Sequence, residues 1–441
     1  MSSDARRLVR LAECATFQEG YVNPSQRDPS YFGEDIKWLR ATDLNSGFVF
    51  ETGRRLSKKG FDSAGKSATL FAPGTLAISK LGTIGRVGIL QDYMCGNRAV
   101  INIKPNRTCD ARFIFYTLLH RRPEIETLAE GSVQKNLYVS TLGNLKIELP
   151  PFEAQKSIAC LLGSLDDRIA LLRETNATLE AIAQALFKSW FVDFDPVRAR
   201  MEGRAPEGMD DATAALFPEG FEESELGLVP KGWRVGKLDD LLLLQRGFDL
   251  PSDQRVPGDY PIVAASGPSG THNVSKAKAP GVVTGRSGVL GRVFLELDDY
   301  WPLNTTLWVK EFRAATTCYA YELLCLLDLR SFNAGSAVPT LNRNHVYGLK
   351  YVVPPYDCVT AYESIAIQLH ERARLNDEQA QTLATLRDTL LPRLISGALR
   401  LPEPALSGSF VSCCRHKRLE TGECYQIDSF LRPYLLGWRH I

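Results

Sequence analysis

The sequence predicts an α+β protein in which two β-rich domains are separated by two long antiparallel helices that form a coiled coil. Three observations support this prediction: the 441-residue chain repeats itself once, each repeat begins with short β-branched segments, and each repeat ends in a run with heptad spacing. The period of about two hundred residues is far longer than the repeats of solenoid proteins. The chain therefore contains two copies of a whole domain, arranged as a pseudo-two-fold internal repeat.

The repeat is clearest in the middle of each copy. Residues 72–103 read APGTLAISKLGTIGRVGILQDYMCGNRAVINI and align, with a one-residue gap, with residues 279–309, APGVVTGRSGVLGRVFLELDDYWPLNTTLWV. The alignment extends to GYVNP at 20–24 against GFDLP at 247–251, and to PPF at 150–152 against PPY at 354–356. Two similar but non-identical domains suit a target that has two parts.

The first part of each copy is predicted to be β-rich. The segments GTLAIS, RVGIL and AVINIK in one copy, and GVVTG, RVFLEL and TTLWVK in the other, are short and rich in β-branched residues. Glycine, proline and asparagine separate them, as expected for strands joined by turns.

The first copy ends in a predicted helix whose apolar residues recur in steps of four and three. One polar residue, an asparagine, lies on this apolar seam, and the pattern is typical of a coiled coil. The predicted seam residues are Ile158, Leu162, Leu165, Ile169, Leu172, Asn176, Leu179 and Leu186.

The second copy continues the same phase, although Arg372 and Gln379 interrupt its seam. Asn176 and Asn376 occupy equivalent places, and a seam asparagine fixes helix register because an unpaired amide in an apolar seam is costly. The alternative is that each helix packs only on its own β-rich domain. The predicted seam residues of this helix are Ile365, Leu369, Asn376, Leu383, Leu386 and Leu390.

These patterns divide the chain into six predicted segments. The β-rich domains are residues 1–151 and 233–355, and the two helices are residues 152–195 and 356–402. An acidic connection, residues 196–232, joins the halves, and a tail without a counterpart in the first half, residues 403–441, follows the second helix.

Charge is unevenly distributed along a chain whose net charge is only +1. Residues 1–150 hold 21 lysines and arginines against 15 acidic residues, whereas residues 233–357 hold 13 against 12. The first copy therefore suits a polyanionic partner, while a solvated surface explains the same excess. The second copy is electrostatically unremarkable.

Cysteine usage and hydropathy favour a reduced, cytoplasmic protein. The ten cysteines form no Cys-x-x-Cys pair, the chain opens on the polar segment MSSDARRLVR, and no apolar run reaches membrane-spanning length. Cys413, Cys414, His416 and Cys424 fit no familiar zinc spacing, so no metal site is predicted.

An enzymatic interpretation finds little support. Pro354-Pro355-Tyr356 resembles part of an amino-methyltransferase motif, but that motif requires Asp, Asn or Ser before the prolines, where this chain has Val353. No phosphate-binding Gly-Lys-Ser/Thr loop or His-Glu-x-x-His motif occurs. The prolines are better explained as the end of a strand and the entry to a helix. No catalytic residue is predicted.

The two helical regions resemble the conserved regions of a known family. Residues 149–197, LPPFEAQKSIACLLGSLDDRIALLRETNATLEAIAQALFKSWFVDFDPV, resemble the central conserved region of type I restriction-modification specificity subunits. Residues 353–399 resemble the shorter distal region of that family, and ELGLVPKGWRVGKLDDL resembles the entry to its second target-recognition domain. The resemblance covers about residues 6–402, and the helical motifs are its most specific part.

The resemblance implies a non-catalytic DNA-reading subunit, with residues 1–151 and 233–355 as target-recognition domains for the two halves of a bipartite double-stranded site. The helices would set the spacing and dock two modification (methyltransferase) subunits, and motor-nuclease restriction subunits would join for host defence. S-adenosylmethionine, ATP and Mg are expected in those partners, with no cofactor on this chain and no membrane partner. The alternative is a two-domain coiled-coil interaction scaffold without DNA binding.

Helix length agrees with a spacing role. Ile158 to Trp190 would extend roughly 50 Å at ~1.5 Å per residue. Such a helix matches about one and a half turns of DNA, so two readers could contact separated half-sites.

Basic and amide side chains beside the glycine turns are the predicted DNA contacts, because such groups bind base edges and phosphates. Asn97 and Asn304 lie in the same regions, but a turn role is favoured for both. The candidates are Lys80, Arg86, Arg98, Gln134, Lys135, Asn136 and Tyr138 in the first copy, and Arg286, Arg292, Thr340, Asn342 and Arg343 in the second.

Three large aromatic residues near the end of the first helix have two interpretations. Phe187, Trp190 and Phe191 exceed what a two-stranded seam can cover. They face a partner subunit, or they pack under the neighbouring β-rich domain.

Overall fold

The computed structural model describes residues 6–131, 135–335 and 338–401, and these form two compact units. Unit 1 contains the described residues up to Asp167 and those from Leu383 onward, whereas unit 2 is Arg168–Thr382. The predicted tail, residues 403–441, lies outside the described residues.

Among its described residues, unit 1 contains three sheets, five short α-helices, the start of one long helix and the end of another. Its strands pair in the orders β1-β11, β2-β10-β7-β8-β4 and β5-β3-β9-β6. The elements are β1 (Arg7–Arg10), α1 (Leu11–Cys14), β2 (Ala15–Glu19), β3 (Phe32–Leu39), β4 (Phe48–Val49), β5 (Arg55–Leu56), α2 (Lys58–Asp62), β6 (Leu70–Phe71), β7 (Leu76–Ser79), β8 (Val87–Leu90), β9 (Met94–Gly96), β10 (Val100–Pro105), α3 (Ala111–His120), α4 (Arg122–Thr127), α5 (Val139–Gly143), β11 (Lys146–Leu149) and α6 (Phe152–Phe191).

Unit 2 begins within α6 and ends within the second long helix. Its strands pair in the orders β12-β13, β14-β22, β15-β21-β18-β19 and β17-β16-β20. The elements are α7 (Asp195–Met201), α8 (Asp211–Ala214), β12 (Phe221–Ser224), β13 (Gly227–Pro230), β14 (Arg234–Lys237), α9 (Leu238–Leu241), β15 (Leu242–Arg246), β16 (Tyr260–Ala264), β17 (Gly267–His272), β18 (Gly281–Gly285), β19 (Val293–Glu296), β20 (Trp301–Pro302), β21 (Thr306–Phe312), α10 (Thr317–Leu326), α11 (Arg343–Tyr347), β22 (Lys350–Val353) and α12 (Tyr356–Ile395).

The two units repeat one topology. The four-strand order β2-β10-β7-β8 recurs as β15-β21-β18-β19, and the parallel pair of β3 with β9 recurs as β16 with β20. The same short pair, β1 with β11 and β14 with β22, leads into each long helix. The predicted α+β fold class and internal repeat are confirmed.

The paired prolines connect a strand to a helix in both copies. β11 ends at Leu149 and α6 begins at Phe152, while β22 ends at Val353 and α12 begins at Tyr356. The Pro151 carbonyl accepts the N–H of Gln155 at 3.0 Å, and the Pro355 carbonyl accepts that of Val359 at 3.3 Å. A proline at a helix entry lacks an N–H that the first turn would leave unpaired, so the structural interpretation of these prolines is confirmed.

Each long helix contributes to both hydrophobic cores. In unit 1, Ile158 and Leu162 of α6 share a buried cluster with Leu394 and Ile395 of α12. In unit 2, Phe187 and Trp190 of α6 share a cluster with Tyr362 and Ala366 of α12. Each unit therefore buries side chains from the ends of both repeats.

Within unit 2 the helices pair in antiparallel fashion around the two seam asparagines. Asn376 Nδ2 donates to Asn176 Oδ1 at 2.9 Å, and Asn176 Nδ2 donates to the Ala373 carbonyl at 2.9 Å and to Asp377 Oδ1 at 2.8 Å. Farther along, the Tyr362 hydroxyl donates to the Ala183 carbonyl at 3.1 Å. The predicted mutual pairing is therefore observed here, and the alternative of separately packed helices does not hold for this unit.

An ion pair joins the two helices within unit 1. Arg387 Nη1 lies 2.6 Å from Asp166 Oδ1, and the Tyr116 hydroxyl of α3 donates to Asp166 Oδ2 at 2.6 Å. The carboxylate of Asp166 thus holds α6, α12 and α3 together. Neighbouring Asp167 lies 3.6 Å from Arg112.

The seam of α6 follows the predicted residues, with Leu179 and Leu186 only half-buried and Ala183 buried between them. The seam of α12 needs a correction. Ile365 is 39% exposed, and the buried residue at that turn is Ala366. Leu369, Leu383, Leu386 and Leu390 are half-buried, whereas Asn376 is buried.

The predicted seam of α12 was displaced because alanines occupy its buried positions. Arg372 and Gln379 are exposed and do not interrupt the seam, because Ala373 and Ala380 occupy the buried positions one residue later. A small side chain carries little weight in an apolar pattern, yet it permits close approach of the facing helix. The contact of Asn176 with the Ala373 carbonyl depends on that approach.

The aromatic residues at the end of α6 pack inside unit 2. The rings of Phe191 and Tyr319 are 4.9 Å apart, those of Trp190 and Phe217 are 5.4 Å apart, and Phe187 also contacts Tyr319 at 5.2 Å. All three α6 aromatics are buried. Of the two interpretations offered by the sequence, packing against the neighbouring β-rich domain is confirmed.

Asn376→Ala is expected to destabilise the protein by about 1–3 kcal/mol, because it leaves the buried Asn176 Oδ1 without its donor. Replacing both asparagines with leucine is expected to cost less than the single change, since no polar group then remains buried without a partner. Urea denaturation followed by circular dichroism measures both effects. A double variant less stable than Asn376→Ala would contradict this account.

A second stability test concerns Glu322, which is buried against His370 with 3.8 Å between Oε1 and Nε2. Burial, with a smaller contribution from Glu180, raises the pKa of Glu322 from 4.5 to about 7. The folded protein then holds a proton that the unfolded chain releases, so this residue's contribution to stability is lost as pH rises from about 4.5 to about 7. Glu322→Gln is expected to reduce that loss.

The measurement compares urea midpoints at about pH 5 and about pH 7.5. The exposed residue Glu371, also in this unit, provides the control variant Glu371→Gln. An equal pH dependence in the wild type and Glu322→Gln would rule out Glu322 as the source.

Candidate nucleic-acid interface

The predicted contacts of the first copy meet where three neighbouring strands of unit 1 end or begin. Lys80 follows β7, and its N–H donates to the Ala99 carbonyl before β10 at 2.8 Å. Gly20, after β2, donates to the Val100 carbonyl at 3.0 Å, and Leu137 donates to the Lys80 carbonyl at 3.0 Å. We call residues 19–22, 80–86, 97–99 and 135–138 loop edge 1.

Several candidates are accessible on loop edge 1. Arg98, Lys135 and Tyr138 are exposed, and Arg86 is half-buried at the start of β8. Asn136 bridges to both Leu81 and Glu130, and its Oδ1 is buried without a hydrogen-bond partner. Gln134 lies outside the described residues.

Lys80, one of the predicted DNA contacts, is buried in this structure. It is 7% exposed, and its Nζ lies 2.8 Å from Glu19 Oε1. The Tyr21 hydroxyl donates to the other carboxylate oxygen of Glu19 at 3.2 Å, and this carboxylate raises the pKa of Tyr21. Lys80 is therefore an internal ion-pair partner in this structure.

The second copy builds the same arrangement. The Arg286 N–H donates to the Thr305 carbonyl at 2.8 Å, Gly247 donates to the Thr306 carbonyl at 3.1 Å, and Leu341 donates to the Arg286 carbonyl at 2.8 Å. These bonds match those of Lys80, Gly20 and Leu137. We call residues 246–249, 286–292, 304–305 and 340–343 loop edge 2.

The three predicted arginines of loop edge 2 are held by backbone carbonyls. Arg286 Nε donates to Asn304 at 3.2 Å, Arg292 Nη1 to Ser266 at 2.6 Å, and Arg343 Nη1 to Leu244 at 3.0 Å. Each guanidinium has five N–H donors, so each keeps donors for a ligand while its direction is restrained.

The remaining candidates of this copy take part in turns. The Thr340 hydroxyl donates to the Val338 carbonyl at 3.0 Å, and Asn342 Oδ1 accepts the Asn344 N–H at the start of α11 at 3.1 Å. Asn97 Oδ1 accepts the Ala99 N–H at 3.0 Å, so the turn role favoured for Asn97 is confirmed. Asn304 instead donates its amide to Asp249.

Sequence reasoning missed the residue that precedes the first glycine of each edge. Glu19 stands before Gly20, and Arg246 stands before Gly247. The alignment of the two glycines already paired these positions and could have identified them. A carboxylate and a guanidinium therefore occupy equivalent places.

The two glycines permit a close approach of backbone segments. A Cβ on Gly20 would lie 2.2 Å from the Asn97 carbonyl oxygen, and one on Gly247 would lie 2.2 Å from that of Leu303. No side chain fits at such a distance without moving the backbone. The glycines therefore hold the loops of each edge together.

The loop edges present hydrogen-bond donors, cations and carboxylates in loops at the ends of strands. Such groups bind phosphates and base edges. Within the residues the structure describes, no cluster of three metal-ligating side chains occurs, and no helix is long and apolar enough to span a bilayer.

Comparisons with known proteins agree with this architecture. Residues 7–181 match the family described as type I restriction modification DNA specificity domain. The type I restriction enzyme MjaIX specificity subunit of Methanocaldococcus jannaschii is 23% identical over 91% of this chain and 94% of its own length. The HindI specificity subunit of Haemophilus influenzae is 35% identical over 29% of this chain and 28% of its own length.

A solved structure shares the fold. The crystal structure of a type I restriction-modification system S subunit from M. genitalium covers 90% of this chain and 97% of its own, with a TM-score of 0.56 at 16% identity. The resemblance inferred from the sequence is therefore confirmed: this chain is similar to type I specificity subunits along nearly its whole length.

Gly20→Ala is expected to destabilise the protein by about 1–3 kcal/mol, because its Cβ would overlap the Asn97 carbonyl and force loop edge 1 apart. Gly220→Ala is the matched control, since nothing lies within 4 Å of a Cβ built there. Thermal unfolding of the three proteins measures the effect. Equal losses in the two variants would show that the close approach is unimportant.

Proposed function

We propose that this chain is the DNA sequence-specificity subunit of a type I restriction-modification complex, and that each unit reads one half of a bipartite double-stranded site. One observation carries the proposal: two copies of one scaffold present the same loop edge with different side chains. Recognition of two different half-sites requires a repeated backbone that carries different base-contacting side chains. The similarity to specificity subunits along 91% of the chain supports the same function.

In this proposal the chain itself has no catalytic activity. Methyl transfer to adenine is assigned to two modification subunits, and cleavage is assigned to motor-nuclease subunits. S-adenosylmethionine, ATP and Mg belong to those partners in this proposal, and the complex works in the cytoplasm. The scaffold alternative without DNA has no specific observation in its favour.

DNA binding by the chain alone is expected to be weak and strongly dependent on salt, because phosphate contacts release counterions. Mobility shifts on random duplexes in roughly 50 and 200 mM salt, with and without co-expressed modification subunits, test this expectation. The partners are expected to add sequence selectivity. Sequence-independent binding that persists in the full complex would favour the scaffold alternative.

The spacing role of the helices remains a prediction from the sequence. Insertion of one heptad after Asp167 and another before Leu383 would lengthen both helices by about 10 Å at ~1.5 Å per residue. The unread spacer of the methylated site is then expected to grow by about three base pairs, since DNA rises ~3.4 Å per pair. Detection of methylated adenine across the host genome gives the spacer directly, and an unchanged spacer would refute the role.

A further inference from the structure

The loop edges carry opposite charges at one pair of equivalent positions. Glu19 ends β2 and is paired with Ile101 of β10, while Arg246 ends β15 and is paired with Leu307 of β21. Both residues precede the glycine that approaches the backbone of the neighbouring loop. Their backbones therefore have equivalent surroundings, and their side chains differ in sign.

In unit 1 the acidic residue neutralises the nearest cation. Glu19 and Lys80 lie 2.8 Å apart, and the side chains are only 23% and 9% exposed. Lys80 is thereby paired inside the protein. Direct contact of Lys80 with DNA would require this ion pair to open.

In unit 2 the equivalent pair consists of two arginines. Arg246 is the last residue of β15, and Arg286 follows β18. Both strands are neighbours of β21. The side chain of Arg246 is 53% exposed, and its Nη2 lies 3.5 Å from Asp249 Oδ1. The side-chain amide of Asn304 donates to the same Asp249 oxygen, and the backbone carbonyl of Asn304 accepts the Nε–H of Arg286. Asp249 thus contacts Arg246 directly and is linked to Arg286 through Asn304.

Arg246 keeps most of its hydrogen-bond donors available for a ligand. The single contact at 3.5 Å is long for a hydrogen bond, so most of the five N–H donors remain available. A guanidinium presents two parallel donors that match the O6 and N7 acceptors of guanine in the major groove. A lysine at the same place cannot make that two-point contact.

We propose that Arg246 reads a guanine in the half-site bound by unit 2, and that Glu19 removes this specificity from unit 1 by pairing with Lys80. The inference rests on the proposed function, because it assigns a base to the DNA-reading surface. Arg286 acts beside Arg246 as a second donor whose direction is fixed by the Asn304 carbonyl.

The test maps methylated adenine in genomic DNA from the native host carrying wild type, Arg246→Ala, Arg246→Lys or Arg313→Ala alleles. Arg313 is the matched control: it follows β21 at the end away from Arg246, and its Nη1 donates to the Asp239 carbonyl at 2.7 Å. Both Arg246 variants are expected to relax one guanine position of one half-site. The preference for guanine there is expected to fall roughly ten-fold or more, as for loss of one two-point base contact. The other half-site and the Arg313→Ala motif are expected to stay unchanged.

Several results would overturn the proposal. Slower methylation of an unchanged motif in Arg246→Ala, rescued by Arg246→Lys, would make Arg246 a phosphate contact. Relaxation at a base other than guanine, or in both half-sites, would also contradict it. If the wild-type allele produced no bipartite methylated motif, the proposed function would fail, and this inference would fall with it.

Folding is checked separately, through the thermal unfolding midpoint of each purified variant. Arg246→Lys keeps the charge and the aliphatic stem, so it tests base reading even if the alanine variant unfolds. A relaxed motif in a stably folded lysine variant supports the proposal, whereas a fully retained guanine preference refutes it.

Discussion

Each unit is stabilised by burying segments of both long helices in its hydrophobic core. The buried core of unit 1 includes Ile158 and Leu162 of α6, together with Leu394 and Ile395 of α12. Unit 2 likewise buries Phe187 and Trp190 of α6 with Tyr362 of α12. Removing either helix would expose apolar surface in both units, and burial of such surface is the main favourable contribution to folding.

Polar contacts make this helix pairing specific. Apolar seams tolerate shifts in register, whereas a buried amide accepts only the arrangement that pairs its donors and acceptors. The hydrogen bonds between Asn176 and Asn376, and from Asn176 to the Ala373 carbonyl, satisfy this condition in unit 2. In unit 1 the carboxylate of Asp166, bound by Arg387 and Tyr116, has a comparable role.

The two units share one backbone scaffold but carry different side chains on their loop edges. Gly20 and Gly247 make the same close backbone approach, and the strand orders around them are the same. The side chains set on this backbone differ, as the Glu19–Lys80 ion pair and the Arg246–Asp249 contact show. Substitutions at these strand ends change the charge of a loop edge while leaving the hydrophobic core intact, as the proposed reading of two different half-sites requires.

Local sequence patterns predict much of this fold. Heptad spacing from Ile158 onward predicted α6, the paired prolines predicted the strand-to-helix junctions, and the repeat predicted two domains of one topology. The position of the second seam was less predictable, because Ala366, Ala373 and Ala380 add little to an apolar pattern. Their burial depends on the facing helix, which belongs to the other repeat.

Periodicity and motifs within the sequence predict the fold class, the repeat and the resemblance to specificity subunits. Which polar residues are available for binding depends instead on contacts between distant parts of the chain. Lys80 and Glu19 are 61 residues apart and form an ion pair only because β7 and β2 both flank β10. Whether a charge is free or paired depends on such distant neighbours, and a local pattern contains no information about them.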